Sequence, residues 1–161
     1  MPDPTPPRPT ASRPEMPGYF GCNEDFELLP WSWADGRLRD AHNYWLATHT
    51  PEGGPHLAPV WAVWGGEHLF LATGTQSKKA RNLQHDPRCT LATENAEEAV
   101  MVEGLALQID DATAESYCVL YEAKYGSRPP AGDGWLVTPR TAFGFIEHAE
   151  QFSRTATRWR G

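Results

Sequence analysis

Between residues 44 and 109 five short strand-like runs follow one another with room for only one helix among them, and that spacing constrains the fold more than any other feature. Runs 44–50 and 56–64 flank Pro51-Glu-Gly-Gly54, a turn that predicts a hairpin. Gly65-Gly66 is a second turn, of a kind that permits positive φ at both central positions, and 68–73 is the third run. A helix over 77–85 is stopped by Asp86-Pro87, after which 88–94 and 100–109 return to strand. Glu103-Gly104 interrupts the last of these, and the glycine predicts a bulge or a close backbone approach. A helix over 35–43 anchored by Leu38 precedes the strands, and a helix over 111–125, capped by Asp111 or Thr113, follows them. Runs 135–138, 142–146 and 151–159 complete a strand-rich tail. Sequential strands joined by tight turns pair antiparallel, so the pattern predicts a mainly β chain: a small closed or half-open β-barrel with flanking helices. No Gly-x-Gly-x-x-Gly follows a strand and no Walker-type loop occurs, so dinucleotide and P-loop readings lack their usual evidence.

The 161 residues suit one domain with a full core. Residues 1–18 are dominated by Pro, Thr and Ser and predict a disordered or surface-draped arm, leaving 19–161 as the folded domain. A formal charge of −7 argues against general affinity for nucleic acid or an anionic membrane, both of which need a basic face. No stretch approaches the roughly 20 apolar residues of a membrane helix. The three cysteines, Cys22, Cys89 and Cys118, are odd in number and lack metal-type pairing, which fits a reducing cytoplasm. The turn at 51–54 could make His49 and His56 cross-strand neighbours, with His42 extending the series, yet zinc needs three or four converging ligands and no metal site is expected. Glu103 is expected to pair with a basic neighbour such as Arg88. Seven tryptophans are a heavy aromatic load, suited to a core, a subunit interface or a planar cofactor.

The segment Thr73-Gly-Thr-Gln-Ser-Lys-Lys79 stands between the third strand and the short helix. Thr73, Gly74 and Thr75 let the backbone turn closely, and Ser77 can cap the helix. Lys78, Lys79 and Arg81 put cations in the first turn, where the macrodipole favours anions. A negative ligand resolves that conflict, and free N–H groups, a hydroxyl and cations suit a phosphate; the alternative is a solvated basic helix. On the second strand, Leu57, Pro59, Trp61 and Val63 form a bulky face, and His56, Ala58, Val60, Ala62 and Trp64 a face whose alanines leave space for a ring system or a partner subunit. Pro59 has no ladder donor, so pairing should be interrupted there, freeing backbone at Val60 and Trp61; a barrel strand with a proline bulge is the plainer reading.

The ordered set Tyr44-Trp-Leu-Ala-Thr48, Pro55-His-Leu-Ala-Pro-Val-Trp61, Ser77-Lys-Lys-Ala-Arg-Asn-Leu83, Asp86-Pro87, Val102-Glu-Gly104 and Thr155-Ala-Thr-Arg-Trp-Arg160 resembles the pyridoxamine 5′-phosphate oxidase-like split-barrel superfamily. Within it the chain looks most similar to the actinobacterial flavin/deazaflavin oxidoreductases often described as F420-dependent. The resemblance covers about residues 28–160. It implies a six-stranded split β-barrel, of the kind also called an FMN-binding split barrel, and a homodimer with cofactor sites at the subunit interface. It places Ser77, Lys78, Lys79 and Asn82 on the cofactor phosphate, beside Thr73 and Thr75, and lays Pro59, Val60 and Trp61 along the isoalloxazine or deazaisoalloxazine ring. Where some deazaflavin relatives carry arginine two positions before the lysine matched by Lys79, this chain has Ser77. The partner subunit commonly completes such sites, which makes Lys124, Tyr125 and Trp159 further candidates.

The expectation is therefore a cytoplasmic homodimeric oxidoreductase in which reduced F420 delivers hydride to a small electrophilic molecule. Proton delivery is left to water, His56 or a tyrosine. FMN is the alternative cofactor, and a flavin-, deazaflavin- or haem-binding protein without turnover is the alternative from another class.

Overall fold

The structure, a computed structural model, describes residues 8–19 and 25–161. Its elements in chain order are β1 (Thr10–Ser12), α1 (Trp31–Asp40), β2 (Tyr44–His49), β3 (Pro55–Val60), β4 (Ala62–Trp64), β5 (Leu69–Ala72), α2 (Lys78–His85), β6 (Arg88–Thr93), β7 (Glu98–Gln108), α3 (Asp111–Tyr125), β8 (Gly134–Ile146), α4 (Phe152–Thr155) and β9 (Thr157–Arg160). Every strand pairing is antiparallel. β3 and β4 are one strand interrupted at Trp61: the first half pairs β2 and the second pairs β5. The ladders then run from β5 to β8, β7, β6 and back to β2, so a ring of six strands closes with the interrupted strand counted once. The split-barrel expectation holds.

β8 carries the seam of this ring. Residues 134–137 pair β5, residues 141–144 pair β9, and β7 lies along the other edge throughout. The sequence pattern predicts two strands here; one strand forms because a bulge absorbs the break. Glu103 faces Thr141 and Gly104 faces Pro139, so Arg140 is the extra residue. Gly104 is required there, since a Cβ would stand 2.5 Å from the Thr138 carbonyl oxygen. Gly104→Ala is expected to destabilise the fold by about 1–3 kcal/mol, as overpacking does, read as a lowered urea midpoint with the same slope.

The barrel interior is filled by the inward residues of each strand. Leu46, Leu69, Leu71, Leu91, Val100, Val102 and Val137 are all fully buried, as the period-2 alternation of these strands requires. A smaller cluster of Val63, Phe70, Ala114 and Tyr121 seats α3 on the outside. α3 spans the predicted residues, but its cap is Asp110, whose carboxylate accepts the Thr113 N–H at 2.8 Å. Only Gly66 of the Gly65-Gly66 pair takes positive φ, because the turn closed by Gly65 N–H to the His68 carbonyl has Gly66 and Glu67 at its centre. α1 starts at Trp31, four residues earlier than expected, where Pro30 supplies the extended cap and Arg37 lies over the Trp33 ring at 3.8 Å. The tail 151–159, expected as strand, breaks into α4 and β9; the Gln151 carbonyl accepts both the N–H and hydroxyl of Thr155.

Thr10–Ser12, within the stretch read as an arm, pairs β9 and extends the sheet's edge. Residues 1–7 and Cys22 lie outside the described residues. Arg88 pairs with Asp86 at 2.7 Å rather than with Glu103, because the Asp86 carboxylate two residues away also accepts the Arg88 N–H. His49 and His56 are not opposite each other: His49 faces Pro55 and His56 faces Thr48, so the pleat sends them to opposite sides of the sheet. Among the described residues no three metal-binding side chains converge, and no helix is long and apolar enough to cross a membrane.

Candidate functional site

The loop 73–77 is built as the sequence suggests. The Ser77 N–H donates to the Gly74 carbonyl at 2.9 Å, tightening the turn through Thr75 and Gln76. Ser77 Oγ accepts the Ala80 N–H at 3.1 Å and lies 2.8 Å from Thr73 Oγ1, so the cap is itself fastened to the end of β5. The Ser77 carbonyl takes the Arg81 N–H. The backbone N–H groups of Lys78 and Lys79 are left as the open donors of the α2 end. Thr75, Lys78 and Arg81 are exposed and Lys79 is half-buried. Among the described residues no carboxylate forms an ion pair with Lys78, Lys79 or Arg81. Cations crowded at the positive end of a helix without an ion-pair partner among the described residues leave that end electropositive.

Asn82, expected on the phosphate, is instead 2% exposed and donates through Nδ2 to Thr48 Oγ1 at 3.1 Å. It points to the barrel because positions 80, 82 and 83 form the buried face of α2. Its part is to lock α2 onto β2.

Beside Lys79 lies a cavity of about 400 Å³ lined by Asn43, Pro59, Val60, Trp61, Ala72, Thr73, Lys79 and Tyr121. It thus unites Pro59, Val60 and Trp61 with Thr73 and Lys79, five residues singled out in the sequence on two separate segments. The strand break comes at Trp61, two positions after Pro59, since Val60 still pairs with Tyr44. Side chains of α3 take over the backbone there. The Ala62 N–H donates to Tyr125 Oη at 3.0 Å; the Ala62 carbonyl accepts from Lys124 Nζ and lies within reach of Tyr125 Oη, both at 2.9 Å. Tyr125 Oη also reaches the His42 carbonyl at 2.7 Å, and its ring stacks flat on Trp61 at 4.4 Å and 1°. Lys124 and Tyr125, expected to complete a partner's site, therefore brace this chain's own strand break. Burial pulls the Lys124 ammonium below its usual value, against the pull of Asp40 and Glu94, and pushes the Tyr125 phenol up to about 12.

The two faces of the second strand are reversed relative to expectation. Ala62 is fully buried and Trp64 is 5% exposed, whereas Leu57 is 61% and Trp61 42% exposed. Ala62 and Trp64 face the filled barrel interior and Val60 borders the cavity, while Leu57, Pro59 and Trp61 face out and Val63 is covered by α3. His56 is half-buried, its Nδ1 sealed without a partner, and it does not line the cavity. Trp159, at 1% exposure, packs edge-on against Trp31 at 5.5 Å and close over Gly144; it does not line the cavity beside Lys79 but borders a second one of about 350 Å³ together with Trp31, Trp64 and His68. A β9 side chain opposite Ala142 has to point inward.

Asn43, Ala72 and Tyr121 were not singled out. For Tyr121 the signal was present, since Tyr117, Tyr121 and Tyr125 fall at successive four-residue steps along one face of α3.

Comparison with solved structures gives the same barrel at low identity. An F420 reductase is 24% identical, with 67% of this chain and 94% of that one covered and a TM-score of 0.56. A heme binding protein from Mycobacterium smegmatis is 20% identical over 75% of this chain, TM-score 0.63, and this chain spans 56% of that longer one. General Stress Protein 26 from Bacillus anthracis is 22% identical, covering 70% of this chain and 91% of that one, TM-score 0.57. No curated protein matches. The sequence pattern of one family, described as Pyridoxamine 5′-phosphate oxidase, matches residues 34–145, a span running from α1 through all six barrel strands and the cavity between them. By that match this chain belongs to the pyridoxamine 5′-phosphate oxidase family.

Proposed function

We propose that the protein is a cytoplasmic homodimeric oxidoreductase that uses the deazaflavin F420 to exchange hydride with a small electrophilic organic molecule. The single observation carrying this reading is the cavity itself: an aromatic and backbone wall at Pro59–Val60–Trp61 and an unneutralised lysine at the mouth of a helix, in one space of about 400 Å³, within the range of ordinary ligand pockets. The residues fit the group. Lys79 and the open Lys78 and Lys79 N–H groups hold a phosphate, Lys78 and Arg81 serve a longer anionic tail, and Trp61 presents a wall to the ring. F420, when bound, supplies the hydride; the protein binds, orients and keeps water away. Rigidity of that wall comes from Lys124 and Tyr125, which hold the Ala62 backbone from behind.

A second copy of the chain fits the outer face of β2 and β3. Trp45 is 44% and Leu57 61% exposed, and the register sets Trp45 beside Pro59 and Leu57 beside Ala47, a contiguous apolar surface next to the cavity. The similarity to an F420 reductase favours F420. FMN is the second reading, because the same helix end accepts any terminal phosphate, and the similarity to a heme binding protein makes haem the third ligand to test.

Parallel calorimetric titration of the apo protein with F420, FMN and haem decides among them, with light scattering on the same samples. F420 is expected to bind tightest, to a species of twice the chain mass. Tight FMN binding without F420 binding would replace the cofactor, and haem binding alone would replace the enzyme with a binding protein.

A further inference from the structure

Three tyrosines form one stripe along α3, and two of them have partners. Tyr125 Oη is engaged by the Ala62 and His42 backbone, and Tyr117 Oη lies 3.5 Å from His68 Nδ1. Tyr121 is different. Its residue is only 8% exposed, its ring packs edge-on to Phe70 at 6.3 Å and tilted against Tyr125 at 4.8 Å, and it lines the cavity beside Lys79. Its hydroxyl has no hydrogen-bond partner among the described residues. Nor is that oxygen sealed in the protein, as the unpartnered polar atoms of His56, Trp135 and Trp159 are. A cavity-lining tyrosine whose ring is held by Phe70, Tyr125 and Trp61, the last at 6.3 Å, and whose hydroxyl is unsealed and unpaired among the described residues is a preorganised donor awaiting an acceptor.

We propose that the Tyr121 phenol is a ligand-contacting hydrogen-bond donor of this cavity, aimed at a carbonyl or ring nitrogen on the polar edge of a bound flavin-type ring. The inference rests on the cofactor reading above and adds a contact that neither the cradle nor the strand supplies. Lys79 is on α2 and Trp61 on the strand, so Tyr121 brings a third element, α3, to the ligand. Burial raises the phenol's ionisation, so the group stays protonated and able to donate at neutral pH.

Tyr121→Phe removes one oxygen and keeps the packing ring; Tyr117→Phe is the control on the same stripe. Wild type and both variants are titrated with F420 and with FMN, following affinity per folded molecule, the visible absorption band of the bound probe and the thermal midpoint. For whichever probe the wild type binds, Tyr121→Phe is expected to weaken binding about three- to tenfold, the range of one net hydrogen bond. It should also shift the bound band, while Tyr117→Phe leaves both at wild-type values. An unchanged dissociation constant and an unmoved band in Tyr121→Phe overturn this inference and leave the cofactor reading standing. A wild type that binds neither probe overturns both.

Discussion

Trp159→Ala is expected to cost about 3–5 kcal/mol of stability, the range for truncating a buried aromatic, while leaving cofactor affinity per folded molecule at its wild-type value. Trp159 is the largest fully buried side chain. Its ring end lies so close over Gly144 that a Cβ there would come within 2.7 Å of it, and Trp31 closes the other side edge-on. Position 159 pairs with Ala142 of β8 and Ala11 of β1, so the indole anchors the outermost strands to the barrel. Collapse onto the void is limited on the strand side, because Gly144 and Ala142 are held in the β7 and β9 ladders. For a chain of this size the loss corresponds to a midpoint lowered by roughly 6–20 °C, at about 2–4 °C per kcal/mol. Thermal unfolding and a titration corrected for folded fraction check it. A tenfold loss of affinity with little loss of stability would put Trp159 back at the ligand.

The contrast between Trp159 and Lys79 shows what the sequence could carry. The joining of 134–146 into one strand and the break of 151–159 into α4 and β9 cannot be read locally, whereas the order of the strands, the first hairpin, the short helix and the close approach at Gly104 follow from local periodicity and backbone chemistry. The cradle at 73–79 was legible for the same reason: cap, turn and cations are neighbours in sequence. What a side chain meets across the barrel is not local. Asn82 carries the right chemistry for a phosphate, but helix phase turns it onto Thr48. Lys124 and Tyr125 were candidates only through the resemblance, as residues completing a site from a partner, and only the folded chain shows them gripping the Ala62 backbone of the same subunit. The surroundings of Trp159, a candidate through the resemblance, depend on which face of β9 looks inward, and that face is fixed by β8. Tyr121 escaped notice because an apolar helix stripe is ordinarily core, and three tyrosines with three different fates look alike in sequence.

Lys79→Ala is expected to weaken ligand binding by about 1.5–3 kcal/mol, the range for a hydrogen bond to a charged group, which is roughly a 10- to 150-fold rise in Kd. Lys79 is the cradle cation that lines the cavity, and no carboxylate among the described residues pairs with it. Removing it takes away charge without orphaning a protein partner, so the thermal midpoint should hardly move. Because its neighbours Lys78 and Arg81 are exposed, their share of the attraction is screened by salt. The residual binding of Lys79→Ala should therefore remain salt-sensitive but with a shallower slope than wild type. Lys79→Arg separates charge from shape: it keeps the long-range attraction, and if it recovers only part of the affinity, the ammonium makes a direct contact that the broader guanidinium cannot copy. Titrations of the three proteins with F420 and FMN at two salt concentrations, alongside unfolding curves, supply the comparison. An unaltered Kd in Lys79→Ala for a ligand the wild type binds would move the phosphate site out of the α2 cradle and leave the cavity without its anion end.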